Sequence, residues 1–138
     1  MIEASWIVSA LALTIGVYLG GRGLIDPRWA SRLVRLQADE QGGGFAEFRA
    51  TYGGVFLGLH LVGLAFALYY LLNGHPVMGV AAIGAVAVLS AGWGGAAFGR
   101  LIAIWRDGAD TQFNRFSVGF EVLMAAAIGA PWAVWILS

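Results

Sequence analysis

Four apolar stretches, each long enough to cross a lipid bilayer as a helix, dominate this 138-residue sequence. They predict helices over residues 5–25, 46–73, 77–105 and 115–137. A hydrocarbon core of about 30 Å needs about 20 helical residues at about 1.5 Å each, and every stretch meets that length. Only 12% of the residues are charged, about half the share typical of soluble domains. We therefore expect an all-α membrane protein with a single integral domain, residues 1–138.

All fixed positive charge in the sequence is arginine, and the arginines fall in alternate connections. The sequence has no lysine, and its eight arginines lie in or beside the first and third connections: Arg22, Arg28, Arg32, Arg35, Arg49, Arg100, Arg106 and Arg115. Because cytoplasmic loops retain positive charge, this pattern places both connections in the cytoplasm. We expect an antiparallel up-down bundle of four transmembrane helices in a bacterial inner membrane, with both termini periplasmic.

The first stretch has a rival interpretation as a cleaved secretory signal peptide. A signal peptide carries a basic region before its apolar run. Here Glu3 precedes the run, and Arg22 follows most of it. We therefore expect an uncleaved membrane anchor.

The first connection predicts a short amphipathic helix over residues 27–37. Asp26 and Pro27 are typical of an N-cap and a first helical residue. Three apolar residues and three arginines then recur on opposite faces: Trp29, Leu33 and Leu36, and Arg28, Arg32 and Arg35. Such a helix rests at the membrane interface, either as a connector, which we favour, or as a dock for anionic lipid or a partner. Residues 41–44 are expected to follow it as a flexible, glycine-rich segment.

Glycines at a spacing of four form a second pattern within the apolar stretches. The pairs are Gly16 with Gly20, Gly54 with Gly58, and Gly95 with Gly99. In lipid, small residues let helix backbones approach closely, so that van der Waals packing drives association. The pairs predict tight packing, either within one chain or between subunits.

Three ionisable residues are expected to lie below the membrane surface. Arg49 begins the second helix, Arg100 lies near the end of the third, and Glu121 lies about two turns into the fourth. An unpaired charge at such depth costs about 2.5–3.5 kcal/mol on insertion scales. We therefore expect Glu121 to face the protein interior and bind one or both arginines.

Four further residues complete the candidate polar cluster. Asp107 lies just beyond the third helix and Glu47 lies just before the apolar run of the second, and both can reach the cluster from there. His60 follows Arg49 by eleven residues, about three helical turns, which places both on one face with Tyr52. The cluster is either an ion-pair network that fixes helix register, which we favour, or a site for a ligand, a proton or a lipid head group.

Several kinds of chemistry are excluded or disfavoured by composition. The sequence has no cysteine, which removes disulfides and thiolate sites. Bis-histidine haem ligation is disfavoured, because His60 and the only other histidine, His75, lie about 22 Å apart along the helix at about 1.5 Å per residue. No metallohydrolase spacing, nucleophile elbow or phosphate loop is present. We expect no cofactor, no metal and, from the balanced charge, no nucleic acid partner.

Several short motifs resemble the bacterial membrane proteins classified as domain of unknown function 4345. The motif residues are Glu47, Phe48, Arg49, Ala50, Thr51, Tyr52, Gly53 and Gly54, then Gly99 with Arg100, Asp107 with Gly108, and Glu121. The resemblance covers residue 47 to the end of the chain, and a distant similarity to the DoxX-like four-helix proteins is an analogy only. It implies a four-helix fold and the same buried charges. It implies no reaction, because that family has no assigned activity.

Two functional hypotheses follow from these observations. The first is a small membrane protein without catalysis, an accessory or packing component of a membrane assembly or a homo-oligomer. The second is a module that binds or transports a lipid, a quinone-like molecule or a small anion through the Arg/Glu cluster. We favour the first. Membrane lipids, further copies of the chain or a larger membrane complex are the expected partners, and we do not expect an enzyme.

Overall fold

The computed structural model describes residues 2–37, 43–74 and 76–137, and these residues are almost entirely helical. Its elements are helix α1 (Ile2–Ile25), α2 (Pro27–Val34), α3 (Gly43–Glu47), a π-helix (Phe48–Val55), α4 (Phe56–Asn73), α5 (Pro76–Arg106) and α6 (Gln112–Leu137). No strand is present in the described ranges. The expectation of an all-helical chain is confirmed.

Four of the helical stretches are long and apolar enough to cross a membrane. They are Ile2–Ile25, Gly43–Asn73, Gly79–Arg106 and Gln112–Leu137. The second runs without interruption through α3, the π-helix and α4. The four apolar helices predicted from the sequence are therefore present, and by length and composition the chain is a multi-pass membrane protein.

Helix α2 is present but shorter than the predicted 27–37. The Asp26 carboxylate accepts a hydrogen bond of 3.0 Å from the Trp29 amide, which confirms the predicted N-cap. The helix ends at Val34 because Arg35 adopts a left-handed conformation with φ 59°. Leu36 thus lies beyond the helix, and its assignment to the apolar face was wrong.

The glycine-rich segment predicted at residues 41–44 is only partly described. Residues 41 and 42 lie outside the described ranges. Gly43 and Gly44 open α3, so the expectation of a flexible segment is wrong for these two positions. The second membrane stretch therefore begins three residues earlier than the predicted residue 46.

The π-helix was not predicted from the sequence. It contains the R-A-x-Y-G-G part of the motif that carries the family resemblance. At its end the Phe56 amide donates to the Thr51 carbonyl oxygen five residues earlier, in addition to that of Gly53. Because the wider turn breaks the 3.6-residue repeat, spacing across Phe48–Val55 does not assign faces as it does in an α-helix.

The chain divides into two compact units. The first comprises Met1–Ala12 and Phe66–Ser138, and the second comprises Leu13–Ala65. Both α1 and α4 contribute residues to each unit. The candidate charged residues are consequently divided between the units.

In the second unit, the end of α1 packs antiparallel against the π-helix and the start of α4. Four glycines lie at the contact, and a Cβ at any of them would overlap a neighbouring residue. A Cβ at Gly16 would overlap the His60 ring, and one at Gly20 would overlap Leu57. A Cβ at Gly23 would overlap Tyr52, and one at Gly53 would overlap Leu24. At Gly20 the Cβ would lie 2.5 Å from the Leu57 amide nitrogen, and at Gly53 it would lie 2.6 Å from Leu24 Cα. Glycine is thus required here by backbone proximity.

In the first unit, α5 and α6 form an antiparallel hairpin joined by residues 107–111. The Ser90 hydroxyl of α5 donates to the Ala125 carbonyl oxygen of α6 at 2.7 Å. The fully buried Ser9 hydroxyl of α1 donates to the Ile128 carbonyl oxygen at 2.8 Å. Such side-chain bonds hold helices together where lipid removes the hydrophobic drive for association.

The three predicted glycine pairs differ in what they contact. Gly16 and Gly20 pack against α4 within the chain. By contrast, a Cβ at Gly58, Gly95 or Gly99 would meet no atom of the described residues within 4 Å. The same spacing thus serves contact within the chain on α1 and leaves an open surface on α5.

Candidate functional site

An ion pair between Arg100 of α5 and Glu121 of α6 is the core of the candidate site. Arg100 Nη2 lies 2.7 Å from Glu121 Oε1, and Arg100 Nε lies 3.2 Å and 3.1 Å from the two carboxylate oxygens. The Glu121 side chain is 9% exposed and that of Arg100 is 32% exposed. The predicted contact between these residues is therefore present, with the carboxylate facing the interior of its unit.

Asn114 occupies the remaining nitrogen of Arg100. Its Oδ1 accepts from Arg100 Nη1 at 3.2 Å, while its Nδ2 donates to the Ala109 carbonyl oxygen at 2.7 Å. Sequence reasoning missed Asn114. Its spacing of seven residues from Glu121 supplies a signal, because two helical turns place both side chains on one face of α6.

The connection between α5 and α6 is shaped to bring these residues together. Gly108, with φ 64°, adopts a left-handed conformation just after α5 ends. The Thr111 hydroxyl oxygen then accepts from the Asn114 amide at 3.2 Å and caps the start of α6. Asn114 thereby ties the connection to the ion pair.

This arrangement has a limited chemical repertoire. Each of the three guanidinium nitrogens of Arg100 donates to a protein oxygen. Because Glu121 occupies Nε and Nη2, a ligand anion would have to displace Glu121 to bind that edge of the guanidinium in the bidentate manner that arginine favours. The geometry is that of a structural ion pair that connects α5 and α6.

Arg49 belongs to the second unit and has a different partner from Arg100. Its Nη1 donates to the Leu24 carbonyl oxygen and, at 3.3 Å, to that of Ile25. These carbonyls belong to the last turn of α1, where a helix presents unpaired acceptors and partial negative charge. Arg49 therefore caps the C-terminal end of α1. From the sequence, Arg49 was one of the two arginines expected to bind Glu121.

His60 is buried in the second unit, with 2% of its surface exposed. Its Nδ1 lies 2.7 Å from the Phe56 carbonyl oxygen, and its ring lies 4.2 Å from the Phe56 ring between centroids. The ring fills the space above Gly16. His60 and Arg49 both face α1, but His60 is a packing residue there. His75, the other histidine, lies outside the described residues.

The three remaining predicted members are Tyr52, Glu47 and Asp107, of which only Asp107 belongs to the same unit as the Arg100 pair. Tyr52 is 39% exposed, and its ring contacts that of Phe48 at 5.4 Å between centroids in the second unit. Glu47 and Asp107 are exposed. The hydrogen bonds of Arg100 go to α6 residues instead of Asp107, because Asp107 lies past the end of α5 where its side chain projects outward.

A second ion pair lies in the connection and was not predicted. Arg115 donates to both carboxylate oxygens of Asp110, at 2.6 Å each. The hydrogen bond from Arg115 holds the pKa of Asp110 below its ordinary value. Because both side chains are well exposed, this pair contributes less to folding than the interior one.

No metal centre is formed by the part of the chain that the structure describes, since no three His, Cys, Asp or Glu residues come together there. Comparison with protein-family models, with curated proteins and with solved structures finds no match for this chain. The resemblance to the domain of unknown function 4345 family therefore stays a prediction, carried by its motif residues alone.

Proposed function

We propose that this chain is a non-catalytic packing component of a membrane assembly, and that it self-associates through the open glycine face of α5. The observation that carries the proposal is a contrast between two glycine faces. One is filled within the chain by α4, and no residue that the structure describes fills the other.

The open glycine face lies on one side of α5. Its members are Gly84, Gly92, Gly95 and Gly99. At about 100° per residue they fall within about 80° of one another around the helix axis. All four are exposed, and a Cβ at any of them would meet nothing within 4 Å.

A lipid-facing role alone accounts poorly for this composition. Glycine offers acyl chains little contact area, and inside a helix it is less favourable than alanine by about 1 kcal/mol. A facing helix recovers that cost through close backbone approach. A symmetric dimer needs only one such surface per chain, because the same patch serves both subunits.

The Arg100–Glu121 pair supports a structural role over the alternative of lipid, quinone or anion binding at the same residues. Binding there would leave at least one arginine nitrogen available to the ligand. Each nitrogen instead has a protein acceptor. The pair fixes the register of the α5 and α6 hairpin, which presents the glycine face.

Introduced cysteines test self-association directly, because the native chain contains none. A Gly95→Cys chain in native membranes should form a disulfide-linked dimer on mild oxidation. Gly119→Cys is the matched control, since Gly119 is an exposed glycine with equally open surroundings on α6. Equal cross-linking at the two positions, or none at Gly95, would overturn the proposal.

The proposal includes an orientation, an antiparallel bundle in a bacterial inner membrane with the arginine-bearing connections cytoplasmic. Its support is that all eight arginines lie in or beside alternate connections. In intact cells a membrane-impermeant maleimide should label Glu3→Cys and should label Asp107→Cys only after lysis. The reverse pattern would contradict it.

A further inference from the structure

A cavity of about 310 Å³ lies in the second unit, beside the corner where α1 gives way to α2. It is lined by Ile25, Asp26, Pro27, Arg28, Phe45 and Arg49. Its size is at the lower end of the range of about 300–1,000 Å³ for small-molecule sites. The lining thus contains two arginines, one carboxylate, one aromatic ring and two apolar residues.

The Arg28 guanidinium is positioned by the Phe45 ring. Its central carbon lies 5.8 Å from the ring centroid, a cation–π arrangement that links α2 to α3. Among the residues that the structure describes, no hydrogen bond or ion pair occupies Arg28. Its donors are therefore available to an anion.

Arg49, the second arginine that lines the cavity, is positioned by α1. Its Nη1 is anchored on the Leu24 and Ile25 carbonyl oxygens. In the described part of the chain its Nε and Nη2 have no hydrogen-bond partner. An arginine held by one nitrogen presents the others in a fixed direction, which lowers the entropy lost when a ligand binds.

The carboxylate in the cavity is already engaged. Asp26 Oδ1 accepts from the Trp29 amide, and an acidic group near the start of a helix is stabilised by the helix dipole. No ion pair joins Asp26 to either arginine among the described residues. Two arginines against one capped carboxylate leave the cavity with net positive charge.

The cavity lies where two candidate membrane spans meet the water interface. Ile25 is the last residue of the first span, and the second span begins at Gly43. That second span has 31 residues, about 45 Å at about 1.5 Å per residue, against a hydrocarbon core of about 30 Å. The excess length leaves room for its first turns, with Phe45 and Arg49, to extend into the head-group region.

We propose that this cavity binds the phosphate group of an anionic phospholipid. Arg28 and Arg49 donate to the phosphate oxygens, in the charge-assisted geometry that guanidinium groups form with phosphate. Ile25 and Phe45 contact the glycerol and the first acyl carbons. The site lies on residues other than those of the self-association proposal, so either proposal can fail alone.

Thermal unfolding of the full chain in neutral detergent, with added phosphatidylglycerol, tests the site. A ligand that binds only the folded state raises the unfolding temperature as its concentration rises, which yields an apparent affinity. About 1 M NaCl is included, since the Debye length then falls to about 3 Å and general attraction to exposed arginines is screened. Phosphatidylcholine and inorganic phosphate serve as separate arms.

Arg28→Gln is the principal variant, and Arg32→Gln on the same helix is its control. Arg32 is an exposed arginine that does not line the cavity. We expect phosphatidylglycerol alone to stabilise the native chain. Arg28→Gln should weaken its apparent affinity about tenfold, since one charge-assisted hydrogen bond of about 1.4 kcal/mol corresponds to that factor. Arg32→Gln should change it less than about twofold.

Three results would overturn the proposal. Equal losses in the two variants would mean general electrostatic attraction. Equal stabilisation by inorganic phosphate would mean a soluble ligand, and equal stabilisation by phosphatidylcholine would mean no anion selectivity. If Arg28→Gln does not fold, Arg28→Lys keeps the charge and loses the guanidinium fork, and its affinity must still fall below that of Arg32→Lys.

Discussion

Replacement of Glu121 by glutamine isolates the charge of the interior ion pair with almost no change in shape. The glutamine oxygen can still accept one hydrogen bond from Arg100, but the charge and the contact with the second carboxylate oxygen are lost. The amide nitrogen that replaces this oxygen is itself a donor. This nitrogen would face Arg100 Nε, which in the native chain donates to the carboxylate oxygens at 3.1–3.2 Å.

The expected cost follows from burial on the two sides of the pair. Removal of one partner from a fully buried pair costs about 3–5 kcal/mol. Here Glu121 is 9% exposed, but Arg100 is 32% exposed and regains some solvation when its partner is lost. One charge-assisted hydrogen bond of about 1.5–3 kcal/mol is therefore the better guide. We expect Glu121→Gln to lower the free energy of unfolding by about 2 kcal/mol.

A double-mutant cycle measured by denaturant unfolding in mixed micelles provides the assay. Glu121→Gln, Arg100→Gln and the double variant should show a coupling of at least about 1 kcal/mol, because the double variant leaves no unpaired charge. A cost below about 0.5 kcal/mol, or additive effects, would refute the structural role. Asp110→Asn is the matched control, since that exposed pair should have little effect on stability.

Three further outcomes are expected from the structure. Gly20→Ala should lower the unfolding free energy by about 1–3 kcal/mol, because the added Cβ would lie 2.5 Å from a backbone nitrogen of the facing helix. By contrast, Gly95→Ala should be neutral or stabilising in the monomer. Arg49→Gln should speed amide hydrogen exchange in the last turn of α1, which loses its cap; unchanged exchange would contradict the assignment. Arg115 lowers the pKa of Asp110. The contribution of this pair to stability is therefore present above the unfolded-state pKa and is lost as pH falls through the folded-state pKa. By NMR, the Asp110 carboxyl carbon should titrate below model-peptide values in the native chain and closer to them in Arg115→Gln.

The candidate site shows where inference from local sequence stops. The contact between Arg100 and Glu121 was predictable, because a carboxylate and a guanidinium inside adjacent apolar helices each need a partner. The partner of Arg49 was not, because backbone carbonyls at a helix end carry no sequence signal. Asn114 shares a helix face with Glu121, but its role was missed because its amide also acts through a loop carbonyl whose position depends on the left-handed turn at Gly108.

The sequence by itself determined that the chain is helical, that four stretches are long and apolar enough to span a membrane, and that one acid in the last must find an arginine. These conclusions depend on length, hydropathy and the cost of unpaired charge, which are local properties. Only the tertiary structure decided which glycine faces are filled, where the backbone widens into the π-helix, and which acceptors Arg49 and Arg100 receive. Those outcomes depend on which surfaces pack together. Residue spacing predicts which side chains share a helix face only where the backbone is α-helical.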